Sequence, residues 1–398
     1  MLLDAVLDSA ARRASSPAIS ARHERLTYEE LGHALRASAR RDGVVVIQSG
    51  EPVRVAVEAL AARFGGGVPL LLEPEARAPH PSAALFPGTA WLKATGGTTG
   101  NPRLVAVSEE QAHAIARSNA ELTGMTPGAA LVVTVPPWTA YGWNCWSGAL
   151  VAGAEVRYVA PTAPSDLLDA LADPRVTFGC TTPPVVRALA RLRARGNLRR
   201  APVITAAAAY PGTAAAEVLE RHGIAVIDRY GCAEAGSIAQ AREPGGPLWP
   251  APRVELHFAG DPETVEVRGP CVALGIVGGA PFEGRFATGD LVQRSADGSF
   301  RLLGRADRVV RRMARAVDLD AVERALLAQP GIAHARVQAR PGVLDVELVA
   351  QVVPANGAAP SSATLAARLG EILAPWERPS SIEILSTIDA TKWRSRES

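Results

Sequence analysis

Short apolar runs alternate along the chain with stretches whose apolar positions recur every three or four residues. The first helix candidate spans residues 27–39. Thr27 can cap it, Glu30 three residues on completes a capping box, and Tyr28, Leu31 and Leu35 form the stripe. Buried-strand runs follow at 44–47 and 68–72, separated by a helical stretch at 53–63, and further runs lie at 131–135, 155–159, 203–206 and 225–228. Strands alternating with helices predict an α/β domain with a mainly parallel sheet. After about residue 253 the texture changes. The runs at 254–258, 264–267 and 300–303 are punctuated by Gly and Pro, which predicts a β-rich subdomain within the large domain. The remainder reads helix (319–328), strand (335–339), strand (344–353), a loop (354–362) and helix (363–373), a small α+β domain. The expected division is a large domain over 1–306 and a small one over 307–398.

Composition narrows the function classes. The 398 residues are 47% hydrophobic and 21% charged, enough for a large core, and the net charge of +2 gives no sign of a nucleic-acid partner. No apolar run approaches the roughly 20 residues that span a bilayer. Residues 1–11 carry Asp4 and Asp8 and no basic segment, so they do not read as a secretion signal. Cys145, Cys180, Cys232 and Cys271 are far apart in sequence, which speaks against a disulfide framework or a zinc ribbon and for a reducing compartment. The expectation is a cytoplasmic protein with no membrane partner. The seven histidines show no ligand-like spacing, so no zinc is assigned. Of 42 basic residues only Lys93 and Lys392 are lysines. In so arginine-rich a chain a retained lysine marks a site where a compact ammonium matters.

The densest candidate for chemistry is Thr95-Gly96-Gly97-Thr98-Thr99-Gly100-Asn101-Pro102-Arg103. Its glycines allow close backbone approach to an anion, and its hydroxyls and N–H groups can donate to phosphate oxygens. It lacks the G-x4-G-K-[ST] spacing of a Walker loop. The segment resembles the T-S-G-T-T-G-x-P-K-G phosphate loop of the adenylate-forming superfamily, which includes acyl-CoA synthetases, aryl-acid ligases, peptide-synthetase adenylation domains and luciferases. Three more segments match in order. Tyr230-Gly231-Cys232-Ala233-Glu234 resembles Y-G-x-T-E. Thr288-Gly289-Asp290-Leu291, with Asp297-Gly298 and Gly304-Arg305-Ala306-Asp307, resembles T-G-D-L…D-G…G-R-x-D. Ala390-Thr391-Lys392 resembles the terminal T-G-K.

This resemblance implies ATP and Mg²⁺ as cofactors, a carboxylic acid as substrate, and a thiol acceptor, either coenzyme A or a carrier protein. Thr95, Gly96, Gly97, Thr98, Thr99, Gly100 and Arg103 would wrap the phosphates, and Glu234 would hold the metal. Tyr230 and Gly231 would lie at the adenine, with Ala206, Ala207 and Ala208 lining its other side. Asp290 would accept from the ribose hydroxyls and Arg305 would reach ribose or phosphate. Lys392 would offset charge between carboxylate and α-phosphate, and Asp307 would sit at the hinge of a mobile small domain. Residues 136–144 resemble the acid-pocket stretch P-x-x-H-x-x-G, giving Trp138, Thr139, Tyr141 and Gly142 as lining. Trp138, Tyr141, Trp143 and Trp146 read equally as pocket or core. Lys93 reads either as a surface residue or as an auxiliary phosphate contact.

The chain departs from the pattern in places. Arg103 stands for the usual lysine, Leu104 for a glycine, Ala233 for a threonine that donates to the α-phosphate, Thr139 for a gating histidine, Ala314 for a tunnel glycine and Thr391 for the glycine before the lysine. The segment between Leu70 and Thr95 is also short, which implies a trimmed large domain. Two arginine series, at 187, 191, 195 and 199 and at 308, 311, 312 and 315, read as solvated faces or as docking sites for coenzyme A or an acidic carrier protein. The resemblance implies an AMP-forming acid–thiol ligase. The alternatives are acyl transfer to an amine and a non-catalytic scaffold that binds nucleotide or acyl ligand.

Overall fold

The computed structural model describes residues 1–22, 24–76, 83–95, 103–194, 200–206, 211–313, 315–342, 345–355 and 360–386. Its centre is a block of parallel strands: Val203–Thr205 lies between Val176–Thr181 and Val226–Cys232, and Ala130–Val133 lies between Val176–Thr181 and Glu155–Tyr158. From Ala130–Val133 the chain moves first to one side, to Glu155–Tyr158, and then to the other, to Val176–Thr181. Such a switch point leaves a crevice at the carboxyl ends of the strands.

The β-rich stretch continues this sheet rather than standing apart. Gly236–Ala241 pairs antiparallel with Val226–Cys232, and Leu248–Pro250, Phe300–Arg305, Arg285–Arg294, Thr264–Arg268 and Glu255–Ala259 extend it to the far edge. At the opposite edge the hairpin Pro17–Ala21 with Glu24–Thr27 completes thirteen strands. The sheet is therefore mixed, parallel in the middle and antiparallel in both arms.

A second sheet holds Val44–Gln48, Val68–Leu72 and Thr89–Thr95 in parallel, then Arg103–Ser108 antiparallel and the short Gly275–Ile276. The helices Glu109–Leu122 and Ala140–Val151 touch strands of both sheets and lie between them. Their alternating apolar faces, with Trp146 and Ile115 at their centre, join the two sheets in one core. Helices Pro164–Ala170, Pro183–Ala190 and Gly212–His222 cover the other face of the large sheet with a separate apolar cluster.

Two predicted helices form as the sequence dictates. Tyr28–Arg36 carries the Thr27–Glu30 capping box, and Pro52–Phe64 starts with Pro at its first position. A helix not expected, Leu2–Arg12, buries Leu2, Val6 and Ala10, a stripe at four-residue spacing. After Arg305 the hairpin Val309–Arg312 with Arg315–Asp318 leads to a three-stranded sheet, Ile332–Pro341, Val346–Pro354 and Ser381–Ile384. Helices Leu319–Leu327 and Ser362–Ile372 share a core of their own with that sheet.

The four cysteines are free; Cys145, Cys180 and Cys271 are buried and Cys232 is half-buried. Among the described residues no helix is long and apolar enough to cross a membrane.

Candidate nucleotide and acid site

Strands Thr89–Thr95 and Arg103–Ser108 form a hairpin whose last register pair is Thr95 with Arg103, and Thr95 Oγ1 donates to the Arg103 carbonyl at 3.3 Å. This hairpin carries the predicted phosphate loop. Gly96, Gly97, Thr98, Thr99 and Gly100 lie outside the described residues, as do Ala207, Ala208, Ala314, Thr391 and Lys392. Arg103 is exposed beside the loop.

Lys93 is not at the surface. It is 7% exposed, and its Nζ donates to Asn144 Oδ1 at 3.2 Å and to the Ala233 carbonyl at 3.5 Å. Burial lowers its pKa to about 8, and the nearby Cys232, Cys271 and Glu234 oppose that fall. The ammonium thus ties the hairpin that leads into the phosphate loop to the helix Ala140–Val151 and to the Tyr230–Glu234 turn.

That turn sits where the parallel block meets its antiparallel arm. A bulge falls between Tyr230 and Gly231 as Val226–Cys232 pairs with Gly236–Ala241. A Cβ on Gly231 would lie 2.3 Å from the Gly236 carbonyl oxygen, so the turn closes only on glycine. Glu234 is 7% exposed, its backbone carbonyl accepts from Ala273 N at 2.8 Å, and no Lys, Arg or His among the described residues comes within 4 Å of its carboxylate. A sheltered carboxylate without a basic partner suits a hard, oxygen-seeking cation such as Mg²⁺.

The sequence separates Tyr230, Asp290, Arg305 and Asp307 by up to 77 residues; the sheet joins them. The Tyr230 hydroxyl donates to Asp290 Oδ2, and Arg305 Nη1 donates to Asp290 Oδ1 at 3.3 Å. Arg305 Nε donates to Asp307 Oδ1 at 2.8 Å. Asp290 and Arg305 face each other because Arg285–Arg294 and Phe300–Arg305 pair antiparallel with Asp290 opposite Arg305. Burial raises the Asp290 carboxyl pKa against the pull of Tyr230 and Arg305. The Tyr230 ring packs edge-on to Phe300 at 6.3 Å.

The predicted acid-pocket segment runs off the carboxyl end of Ala130–Val133, at the switch-point crevice. Thr139 caps the helix Ala140–Val151: its Oγ1 accepts from Gly142 N at 2.9 Å and donates to the Pro136 carbonyl at 3.0 Å. Gly142 allows the close turn, since a Cβ there would fall 1.9 Å from the Pro136 oxygen. Tyr141 is half-buried and its hydroxyl donates to the Ile204 carbonyl at 3.2 Å. Trp138 is half-buried at the start of the segment. Trp143 and Trp146 are core: Trp143 stacks on Trp91 at 5.1 Å, and Trp146 is fully buried with Nε1 donating to the Val135 carbonyl.

Three members of the second arginine series are engaged within the fold. Arg308 pairs with Asp320 and Glu323, Arg312 donates to the Arg378 carbonyl at 2.6 Å, and Arg315 lies over the Trp376 ring. In the first series, 195 and 199 lie outside the described residues. Among the described residues no three His, Cys, Asp or Glu side chains gather as a metal cluster.

One titratable group of the site escaped the sequence reading. Asp228 stands two residues before Tyr230, opposite Thr205, whose buried Oγ1 has no partner among the described residues. Its signal is a carboxylate directly after the apolar run 225–227. Burial raises its pKa to about 6. A carboxyl whose pKa rises on folding favours the folded state at low pH and loses that contribution as pH climbs through about 6. Asp228→Asn should therefore raise stability more at pH 7.5 than at pH 5, by about 1 kcal/mol, in urea unfolding at both pH values. An equal gain at the two pH values would contradict this.

The description "AMP-binding enzyme" matches residues 48–276. The chain is 27% identical over 355 residues to syringomycin synthase SyrB1 of Pseudomonas syringae pv. syringae, covering 76% of this chain and 56% of that protein. It thus spans about half the length of that relative. ATP-bound MatB from Rhodopseudomonas palustris superimposes with a TM-score of 0.81 at 20% identity, over 98% of this chain and 95% of that one. The o-succinylbenzoate CoA synthetase MenE from Bacillus subtilis, in complex with its acyl-adenylate intermediate, superimposes with a TM-score of 0.83 at 18% identity, over 97% and 95%. These structural likenesses establish a shared large-plus-small-domain fold.

Proposed function

Because the chain belongs to the AMP-binding enzyme family, the adenylate-forming superfamily, we propose that it activates a carboxylic acid as its acyl-adenylate and passes the acyl group to a thiol. The observation that carries the reading is the Tyr230–Asp290–Arg305 cluster beside the phosphate-loop hairpin and Glu234. An ionised Asp290 held by Arg305 offers two acceptor oxygens to vicinal ribose hydroxyls, and the Tyr230 ring gives a flat apolar wall for the base. Residues 95–100 and Arg103 would take the phosphates, and Mg²⁺ at Glu234 would offset their charge.

In the first step a carboxylate oxygen of the acid attacks the α-phosphorus of ATP, the bond to the bridging oxygen breaks, and pyrophosphate leaves. Two anions must meet, so cations at the crossing lower the barrier most. Lys392 is the proposed source of that charge. In the second step a thiol sulfur, of coenzyme A or a carrier protein, attacks the acyl carbonyl and AMP leaves. The coenzyme A synthetase named among the structural likenesses supports a thiol acceptor. We assign the large domain to 1–306, the small one to 307–398 and the hinge to Asp307, whose carboxylate is shared with Arg305 of the site.

The test is acid-dependent pyrophosphate release from Mg-ATP over aryl, fatty and amino acids without any thiol. Release is expected with at least one class, and Lys392→Ala should lower it about a hundredfold, in line with losing one charge-stabilising group. ATP binding with no release from any acid would refute adenylation.

A further inference from the structure

Lys93 is an ammonium at a position that the surrounding packing suits to a hydrophobe. It lies on Thr89–Thr95 in register with Leu71 on one side and Val105 on the other, and both of those side chains belong to the core between the two sheets. The pleat turns Lys93 to that same face, where it is 7% exposed. Its two acceptors, Asn144 Oδ1 at 3.2 Å and the Ala233 carbonyl at 3.5 Å, are neutral. No carboxylate among the described residues comes within 4 Å of it. Burying a charge on neutral partners is costly, so stability alone favours an apolar chain here.

What the lysine reaches is the turn that carries Glu234. Two successive carbonyls of that turn are held from the second sheet. The Ala233 carbonyl accepts from Lys93, and the Glu234 carbonyl accepts from Ala273 N at 2.8 Å. The next residue, Leu274, donates to the Ala106 carbonyl at 2.9 Å, so Ala273 arrives from the edge of Arg103–Ser108. Both anchors therefore belong to the sheet whose hairpin carries the predicted phosphate loop. Asn144, 4% exposed on Ala140–Val151, steadies the ammonium from the helix side. Lys93 stands two residues before Thr95 and is bonded one residue before Glu234. It is the side chain that spans from one predicted element to the other, and a long stem with a compact head suits that reach.

We propose that Lys93 is a positioning residue for adenylation: through the Ala233 carbonyl it sets where the Glu234 carboxylate stands relative to the phosphate loop. This inference rests on the adenylation reading above and on Glu234 as the metal ligand. It adds a residue that none of the sequence motifs contains. The lysine itself touches neither substrate nor metal; its effect passes through Glu234.

A double-mutant cycle tests this, because it separates a residue that acts through Glu234 from one that only supports the fold. Wild type, Lys93→Met, Glu234→Gln and the double variant are compared in two measurements. One is acid-dependent ATP–pyrophosphate exchange; the other is Mn²⁺ binding in the presence of α,β-methylene-ATP, followed by electron paramagnetic resonance. Lys93→Met should lower kcat/KM for exchange about thirtyfold and weaken Mn²⁺ binding about tenfold, the size of effect seen when a group that orients a metal ligand is lost. In the Glu234→Gln background the same substitution should change either quantity by no more than about twofold. If Lys93→Met does not fold, Asn144→Ser, which withdraws the amide acceptor and keeps the lysine, takes its place in the cycle with the same expected pattern. Equal effects of Lys93→Met with and without the Glu234 carboxylate leave adenylation standing and overturn this proposal. So does a Lys93→Met protein that binds Mn²⁺ and exchanges as wild type does. Absence of exchange by wild type with every acid overturns the adenylation reading and this one with it.

Discussion

Replacing Asp290 with alanine should lower kcat/KM for ATP in acid-dependent pyrophosphate exchange about a thousandfold. In the proposed complex its two oxygens take the ribose hydroxyls, and hydrogen bonds to a charged group contribute about 1.5–3 kcal/mol each. Two of them amount to roughly two to four powers of ten. The loss should exceed that in a Tyr230→Phe protein, because the phenol donates to Asp290 and the carboxylate survives its removal. Asp290→Asn should fall between, since the amide keeps one acceptor but loses the charge that holds Arg305. Exchange by the alanine variant within tenfold of wild type would remove Asp290 from the nucleotide site.

Gly142→Ala should be the most damaging single methyl group in the proposed acid pocket. The added carbon would stand 1.9 Å from the Pro136 oxygen and 2.8 Å from the Thr139 hydroxyl that caps the helix. Neither is a flexible chain end, so the first turn of Ala140–Val151 must move and its cap must break. Overpacking against backbone together with a lost cap costs about 3 kcal/mol, visible as a lowered urea midpoint at unchanged slope. Gly212→Ala supplies the contrast. It opens Gly212–His222 with no described residue within 4 Å of a built Cβ, and alanine there should be neutral or slightly stabilising. Equal midpoints for the two variants would contradict the geometry.

The candidate site is legible where its proposed chemistry is local. The run Thr95–Arg103, the Tyr230–Glu234 turn and the Gly304–Asp307 tetrad are each recognisable from neighbouring residues alone, and Thr27 with Glu30 announced its own helix. What depended on distant partners was not. Lys93 reads as surface or phosphate contact because nothing around it tells that Asn144 and Ala233 will enclose it. Trp143 and Trp146 share a helix with Tyr141, and only the arrival of Trp91 and the Val135 carbonyl assigns them to the core. The strands after residue 253 show their β character plainly, but their continuity with the parallel block rests on a single antiparallel turn at Gly231–Gly236. The helix Leu2–Arg12 was fully written in its four-residue stripe. Arg229 could be read as a charge in a strand, yet its bonds to Asn119 and Gln240 are a fact of three dimensions.

The placement of the thiols makes the proposed rotation of the small domain measurable by fluorescence. With three cysteines buried and Cys232 half-buried at the end of its strand, a maleimide dye offered briefly to the native protein will favour any cysteine set on the surface. Leu219, on Gly212–His222, and Leu327, at the end of Leu319–Leu327, are 45% and 44% exposed. Leu219→Cys and Leu327→Cys in one chain would place a donor and an acceptor dye on the two proposed domains without removing a native residue of the core. Energy transfer between them would then follow the rotation as ATP, acid and thiol are added in turn.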